Sequence, residues 1–419
     1  MTKDRMPNTK VLNSAPKSVV PEKKEDLIDL LIHGQGVFLF SSQSDCKFFF
    51  YNSDKSDGLE VALTESDFTV RRIKNSDRFQ PSQPLPPDCL THQAKSGAYY
   101  WFSLDSQNQR LQAGLGEPRT ETSFYSYQFD KSDKLWEANK IFFESLISIQ
   151  IDENIVPIRL LKNPITRSIP LCVKGINELT MDDVASNSYL PSAGLSAAAQ
   201  ALYNCVAGKN FILDTSDFPD FSKAIEYSIL TKGLWCNERL KQKANEFSKD
   251  AQPKETYLRI TLGENNGESP GVPYVMEIWP SGHYSPIHNH GGANAVIRVL
   301  HGKIDVSLFP FLCDEEEGVK PFAVASFVKD DITWISSTLN QVHQLKNNGK
   351  ETCITIQCYL YDKSDKDHYD YFDYLGNQNA KSQYEPDSDM DFVEFKKKMI
   401  EEWNSKNKKV KKSKLLSFM

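Results

Sequence analysis

Short apolar and aromatic runs separated by Ser, Asp, Asn and Gly dominate the first third of the chain. GVFLF (36–40), KFFFY (47–51), Leu59–Leu63, Phe68–Ile73, AYYWFSL (98–104) and SFYSYQF (123–129) all have strand length, and the last alternates. Runs of about four to eight such residues bounded by turn formers predict strands. DSQNQ, between AYYWFSL and RLQAGLG (110–116), predicts a hairpin, and QPSQPLPPD (80–88) a proline-rich loop. Ahead of these, DLIDLLIHG (26–34) has a short helical spacing that ends on Gly34. The expectation is a β-rich, sandwich-like module over residues 25–154, after a Lys-, Pro- and Ser-rich mobile tail over 1–24.

Residues 155–250 read differently. After a proline-broken extended piece, Thr180 stands as a cap ahead of MDDVA. LSAAAQALYNCVAG is Ala-rich and ends at Gly208, a helix with a C-terminal glycine. FPDFSKAIEYSILTKG and CNERLKQKANEFSKD predict two more helices, so this stretch is expected to be a helical connector. From Tyr257 to Tyr361 the strand pattern returns in TYLRITL, YVMEIW, AVIRVLH, KIDVSLFPF, AVASFV, ITWIS, VHQLKN and CITIQCYLY. That many short strands in succession predict a closed or double-sheet antiparallel barrel over residues 251–376. Residues 377–419 read as a charged tail, in which EFKKKMIEEW has room for a short helix. The expected fold is therefore mainly β, a sandwich-like module and a barrel with helices between them.

Composition narrows the function classes. The chain has 49 basic and 56 acidic residues, net −7, which argues against a general nucleic-acid binder. No apolar run approaches the roughly 20 residues of a membrane helix, and no secretory signal is visible. The eight cysteines form no CxxC pair, which excludes a zinc ribbon and a dense disulfide scaffold. A cytoplasmic protein with reduced thiols is expected, and the basic segment KKVKKSK (408–414) is compatible with nuclear targeting. No nucleic-acid or membrane partner is expected. The sequence assigns no protein partner to the N-terminal module.

Histidine is scarce and unevenly placed. Of eight, three fall at His283, His288 and His290. On a strand, His288 and His290 would point to one face. His343 follows 53 residues after His290, in another strand candidate. Imidazole is the commonest metal ligand among side chains, and three of them facing one barrel interior suit a divalent cation. The plain alternative is three structural histidines with no metal.

The frame around them resembles a family. GHYSPIHNHGGANAVIRVLHG (282–302) is similar to the first cupin motif, and HQLKN (343–347) to the second. The glutamate position of the first motif is Ala295, which points to a three-histidine cupin. YLRITL, VMEIWPSGHYSPIHNH, VLHGKIDVSLF, VHQLKNN and CITIQCYLY resemble the cysteine dioxygenase family of thiol dioxygenases, in order and approximate spacing. The resemblance covers residues 218–375 and leaves out the N-terminal half.

That resemblance implies a ferrous centre on His288, His290 and His343, with a small thiol and O2 as substrates and a sulfinic acid as product. It implies that Arg259 holds the substrate carboxylate, with Tyr257 on the same strand face. The alternative for Arg259 is a barrel-rim ion pair. Tyr359 matches the tyrosine beside the bound thiol and oxygen, unless it is a buried structural tyrosine. Trp279 and His283 match positions ahead of the histidine pair, where His283 either supports the ligands or caps its loop. Gln357 stands where the family's relay has a histidine. It can hydrogen-bond Tyr359 but cannot titrate. With Ala295 in place of the animal members' cysteine, no crosslink to Tyr359 can form. The segment ENNGESPG (264–271) lengthens the gap from Arg259 to His288 and is expected to form a loop over the site. The leading expectation is an iron-dependent dioxygenase for L-cysteine or a similar small carboxylated thiol. The alternatives are another thiol, such as 3-mercaptopropionate, and a non-catalytic metal- or ligand-binding cupin beside an N-terminal interaction module.

Overall fold

The computed structural model describes residues 27–85, 99–165, 168–244, 253–263, 274–290, 293–313, 320–336, 339, 342–360, 372–376, 381–384 and 387–417. The tail expected over 1–24 and the loop expected over 264–271 lie outside the described residues. Two compact units emerge. One runs to Ser168 and includes Pro310–Phe322. The other holds Ile169–Phe309 and everything from Ala323 on.

The first unit contains β1 (Leu27–Asp29), β2 (Gln35–Ser42), β3 (Cys46–Tyr51), β4 (Gly58–Leu63), β5 (Phe68–Arg72), β6 (Tyr100–Asp105), β7 (Arg110–Leu115), β8 (Ser123–Gln128), α1 (Trp136–Glu144), β9 (Ser148–Ile151) and β10 (Ile155–Leu161). The strands make two five-stranded sheets, ordered β1-β9-β3-β4-β5 and β10-β2-β6-β7-β8. Alternation sends Phe48, Phe50 and Val61 of one sheet into the same core as Phe38, Phe40 and Phe102 of the other. Two readings of the sequence need correcting here. DLIDLLIHG is not a helix, because Leu27–Asp29 pairs antiparallel with β9 and a nine-residue pattern cannot separate the two periods. The sandwich also extends past residue 154, since β10 pairs with β2, with Pro157 at a register shift where its missing N–H is tolerated.

The second unit contains β11 (Cys172–Lys174), α2 (Met181–Ala185), β12 (Leu190–Pro191), α3 (Ala197–Val206), α4 (Phe221–Leu230), α5 (Trp235–Lys243), β13 (Leu258–Gly263), β14 (Tyr274–Trp279), β15 (Asn294–His301), β16 (Lys303–Phe309), β17 (Ala323–Val328), β18 (Ile332–Ile335), β19 (Val342–Lys346), β20 (Cys353–Leu360), β21 (Phe372–Leu375), β22 (Lys381–Tyr384), β23 (Met390–Asp391) and α6 (Phe392–Ser417). β13 to β20 are the eight strands the pattern predicts. They lie in a sheet ordered β12-β11-β18-β15-β20-β14-β13-β23 and a smaller one ordered β17-β16-β19. This is a double-stranded β-helix, and the chain as a whole is mainly β.

Helices cover one face of the large sheet. Thr180 and Asp183 form a capping box on α2, and the Ser196 hydroxyl accepts from the Ala199 amide on α3. Arg298 of β15 donates to the carbonyls of Val206 and Gly208, satisfying the end of α3. Met276, Ile278, Ile354, Ile356 and Cys358 pack outward with these helices, while Val275, Ala295, Ile297 and Tyr359 face the barrel interior. The region read as a helical connector is thus part of the barrel unit's core. So is α6, whose Phe395 and Met399 are fully buried. The stretch read as a charged tail is helical from Phe392 because its apolar residues fall four apart on one face. Gly302, with φ +73, makes the sharp turn between β15 and β16. A Cβ there would stand 2.6 Å from the Thr352 carbonyl oxygen.

Candidate metal and ligand-binding site

His288 and His290 lie just ahead of β15 rather than within a strand, in a segment with Pro286. Their placement comes from backbone pairing. The His288 N–H donates to the His343 carbonyl at 3.0 Å, and the His343 N–H returns the bond at 2.9 Å. This bridge to β19 closes the 53-residue gap and brings three imidazoles together, with ligand atoms within 4.8 Å of one another. The Nε2 atoms of His290 and His343 are 3.3 Å apart.

The donor set fits a metal ion. His288 Nδ1 lies 2.9 Å from the Pro286 carbonyl oxygen, an acceptor, so Nδ1 carries the proton and Nε2 keeps a lone pair. Desolvation brings the His288 imidazole down to about 4, with Arg259 adding to the effect and the Pro286 bond opposing it. His290 is held well below the usual histidine range by burial, then by its two neighbouring imidazoles and Arg259. His288 and His290 are thus suited to be neutral ligands. His290 Nδ1 is buried and has no hydrogen-bond partner among the described residues, a cost that a purely structural histidine would not be expected to carry.

Beside the histidines is a pocket enclosing about 260 Å³, its open mouth included. Tyr257, Arg259, Trp279, Gln357 and Tyr359 all line it, as do Glu277, Leu345 and Phe372. Alternation along β13 puts Tyr257 and Arg259 on one side, and Tyr257 stacks on Trp279 with ring centroids 4.2 Å apart. Phe372 packs edge-on against His290 at 4.3 Å. Arg259 is buried, not on a surface rim, and its guanidinium lies 5.8 Å over the Tyr359 ring. The Tyr359 hydroxyl donates to Gln357 Oε1, and the Gln357 amide donates to Glu277 Oε2. Cys358, the next residue, turns to the opposite face and reaches the Leu202 carbonyl.

His283 is the one sequence-singled residue outside the pocket lining. Its Nδ1 is 2.9 Å from the Thr256 carbonyl oxygen and 3.0 Å from the Thr256 hydroxyl, so it braces the backbone next to Tyr257 instead of the ligand histidines. Glu277, Leu345 and Phe372 are the pocket residues the sequence reading missed, and Glu277 is the ionisable one. It is cross-strand neighbour to Arg259, with Oε1 3.8 Å from the guanidinium. Burial pushes its carboxyl up to about 7, against the lowering pull of Arg259, Lys243 and the Gln357 amide. The available signal was a glutamate two residues before Trp279, inside an otherwise apolar strand.

Fold and site together define a double-stranded β-helix barrel with a three-histidine group that can hold a metal. Among solved structures the chain is similar to the cupin domain of Schizosaccharomyces pombe Cnp3 (18% identity, 25% of this chain and 61% of that one, TM-score 0.20). It is also similar to a cupin domain of an XRE-family transcriptional regulator from Enterobacter cloacae (11%, 26% and 98%, TM-score 0.21). A third similarity is to oxalate oxidase in complex with the substrate analogue glycolate (16%, 27% and 55%, TM-score 0.22). Each of these likenesses concerns the fold of about a quarter of the chain. No family model and no curated protein matches the sequence. Among the described residues no helix is long and apolar enough to cross a membrane.

Proposed function

We propose that the barrel is an iron-dependent thiol dioxygenase that converts L-cysteine, or a similarly small carboxylated thiol, to its sulfinic acid with O2. The observation that carries this reading is the convergence of three imidazoles, Arg259 and Tyr359 on one pocket. Iron held by His288, His290 and His343 would supply the electron chemistry that activates dioxygen toward sulfur. Neutral ligands leave such a cation its full charge, which favours an anionic thiolate. The guanidinium of Arg259 suits a substrate carboxylate and would orient the thiol toward the histidines. The Tyr359 hydroxyl donates a hydrogen bond to Gln357 Oε1, which orients the phenol toward the reacting group. Trp279, Tyr257 and Phe372 exclude water from the pocket walls. Free cysteines at Cys46, Cys172, Cys205, Cys236, Cys313, Cys353 and Cys358 support a reducing, cytoplasmic setting.

The test is oxygen consumption by iron-loaded protein across a panel of thiols, with the product identified by mass. Oxygen uptake that matches sulfinate formation for a carboxylated thiol is the expected result. Protein that retains no iron and consumes no oxygen with any thiol overturns the reading.

A further inference from the structure

The Arg259–Glu277 pair is placed to read charge on the ligand. Both residues line the pocket beside the three histidines, and strand register sets them directly opposite each other on β13 and β14. Glu277 is 4% exposed, and its neighbours on the same strand face are the apolar Val275 and Trp279. Burying a carboxylate there is costly, and the apolar neighbours give it no packing purpose. Its Oε2 accepts the Gln357 amide. Its Oε1 faces Arg259 at 3.8 Å, too long for a hydrogen bond, where a closed guanidinium–carboxylate fork would be nearer 2.8 Å. The two charges are therefore adjacent without being locked together.

We propose that Glu277 is a specificity-determining residue of this pocket: with Arg259 it selects a thiol whose head group carries both an ammonium and a carboxylate. The inference rests on the thiol dioxygenase reading of the site. The ligand carboxylate faces Arg259 and its ammonium faces Glu277 Oε1, so each ligand charge meets its opposite in the pair. A thiol with a carboxylate alone brings a second anion beside Glu277. An aminothiol without a carboxylate brings a second cation beside Arg259. Both single-charge ligands leave one buried group with a like-charged neighbour, which is the stronger form of discrimination. An ammonium beside Glu277 also favours its ionised form, which burial alone opposes.

The experiment is anaerobic calorimetric titration of the metal-loaded full chain with L-cysteine, 3-mercaptopropionate and 2-aminoethanethiol. Wild type is expected to bind L-cysteine at least about tenfold more tightly than either single-charge thiol. Glu277→Gln keeps the shape and can still accept from Gln357. It is expected to lose about tenfold for the two ammonium-bearing thiols and to bind 3-mercaptopropionate more tightly, because the like charge is gone. Wild type that binds 3-mercaptopropionate as tightly as cysteine, binds none of the three, or keeps its order of preference after Glu277→Gln overturns the assignment. A clear preference for cysteine without oxygen uptake removes the dioxygenase reading and leaves Glu277 in its role. Sulfinate formed without any preference does the reverse.

Discussion

The sandwich and the barrel are made from the same material, short aromatic-rich antiparallel strands, yet their interiors are filled differently. In the sandwich, Phe38, Phe40, Phe48, Phe50, Phe68 and Phe102 form a continuous set of ring contacts with centroids 5.0 to 6.4 Å apart. The inside of the barrel holds three imidazoles, a guanidinium, a carboxylate, an amide and a phenol around one pocket. The first arrangement maximises buried apolar area and favourable ring geometry. The second bears desolvation costs that a purely structural core would avoid. The barrel can carry them because its large sheet has a second apolar face, packed on α3 and the other helices of the unit. The contrast separates a core that exists for stability from one that trades stability for chemistry.

Substitutions that remove volume from one interior and polarity from the other test the contrast. The largest effect is expected at the ligands. His290→Leu should reduce bound metal to background and lower thiol-dependent oxygen uptake at least about 100-fold. The same change removes a buried orphan nitrogen, so thermal stability of the metal-free protein should hold or rise. A fall of several kcal/mol would show that His290 is structural after all. Next comes Phe102→Ala in the sandwich. Its ring is fully buried against Phe48, Phe50 and Phe68, and the cavity should cost about 3–5 kcal/mol in denaturant unfolding. A loss below about 1 kcal/mol would place the core's weight elsewhere.

The smallest effect is the most discriminating, because its sign is opposite. Glu277 has a folded-state pKa of about 7, above its ordinary 4.5. Between those values the folded chain retains a proton that the unfolded chain has released, so this group's contribution to stability is present below pH 4.5 and lost as pH rises through 7. Glu277→Gln has no such titration. The variant should therefore gain on wild type across that window, by about 3 kcal/mol once the shift is fully expressed. Parallel pH–stability curves for the two proteins would mean that the carboxyl is not desolvated.

Much of the site was legible because its signals are local. The His288-x-His290 pair, His343 and the alternation of Tyr257 with Arg259 are read along single strands or turns, and cross-strand pairing then brings them together. Glu277 was not legible, although the same alternation puts it level with Trp279. Both faces of β14 are buried, so period two divides its residues into two sets without saying which set faces the pocket. His283 shows the same limit from the other side. Its position ahead of the histidine pair suggested support for the ligands, but the neighbour that reaches it is Thr256, from β13's lead-in.

By itself the sequence determined the period of most elements, the strand-rich character of both units and the His288-x-His290 pair, since these depend on residue types a few positions apart. Tertiary structure alone decided which face of each barrel strand is the interior. It alone added β10 to the sandwich and α6 to the barrel unit, and it set Glu277 opposite Arg259. Those outcomes depend on which distant segment pairs with which and on where the covering helices lie. Such contacts are fixed by the combined burial of many residues, so no local pattern in the chain carries them.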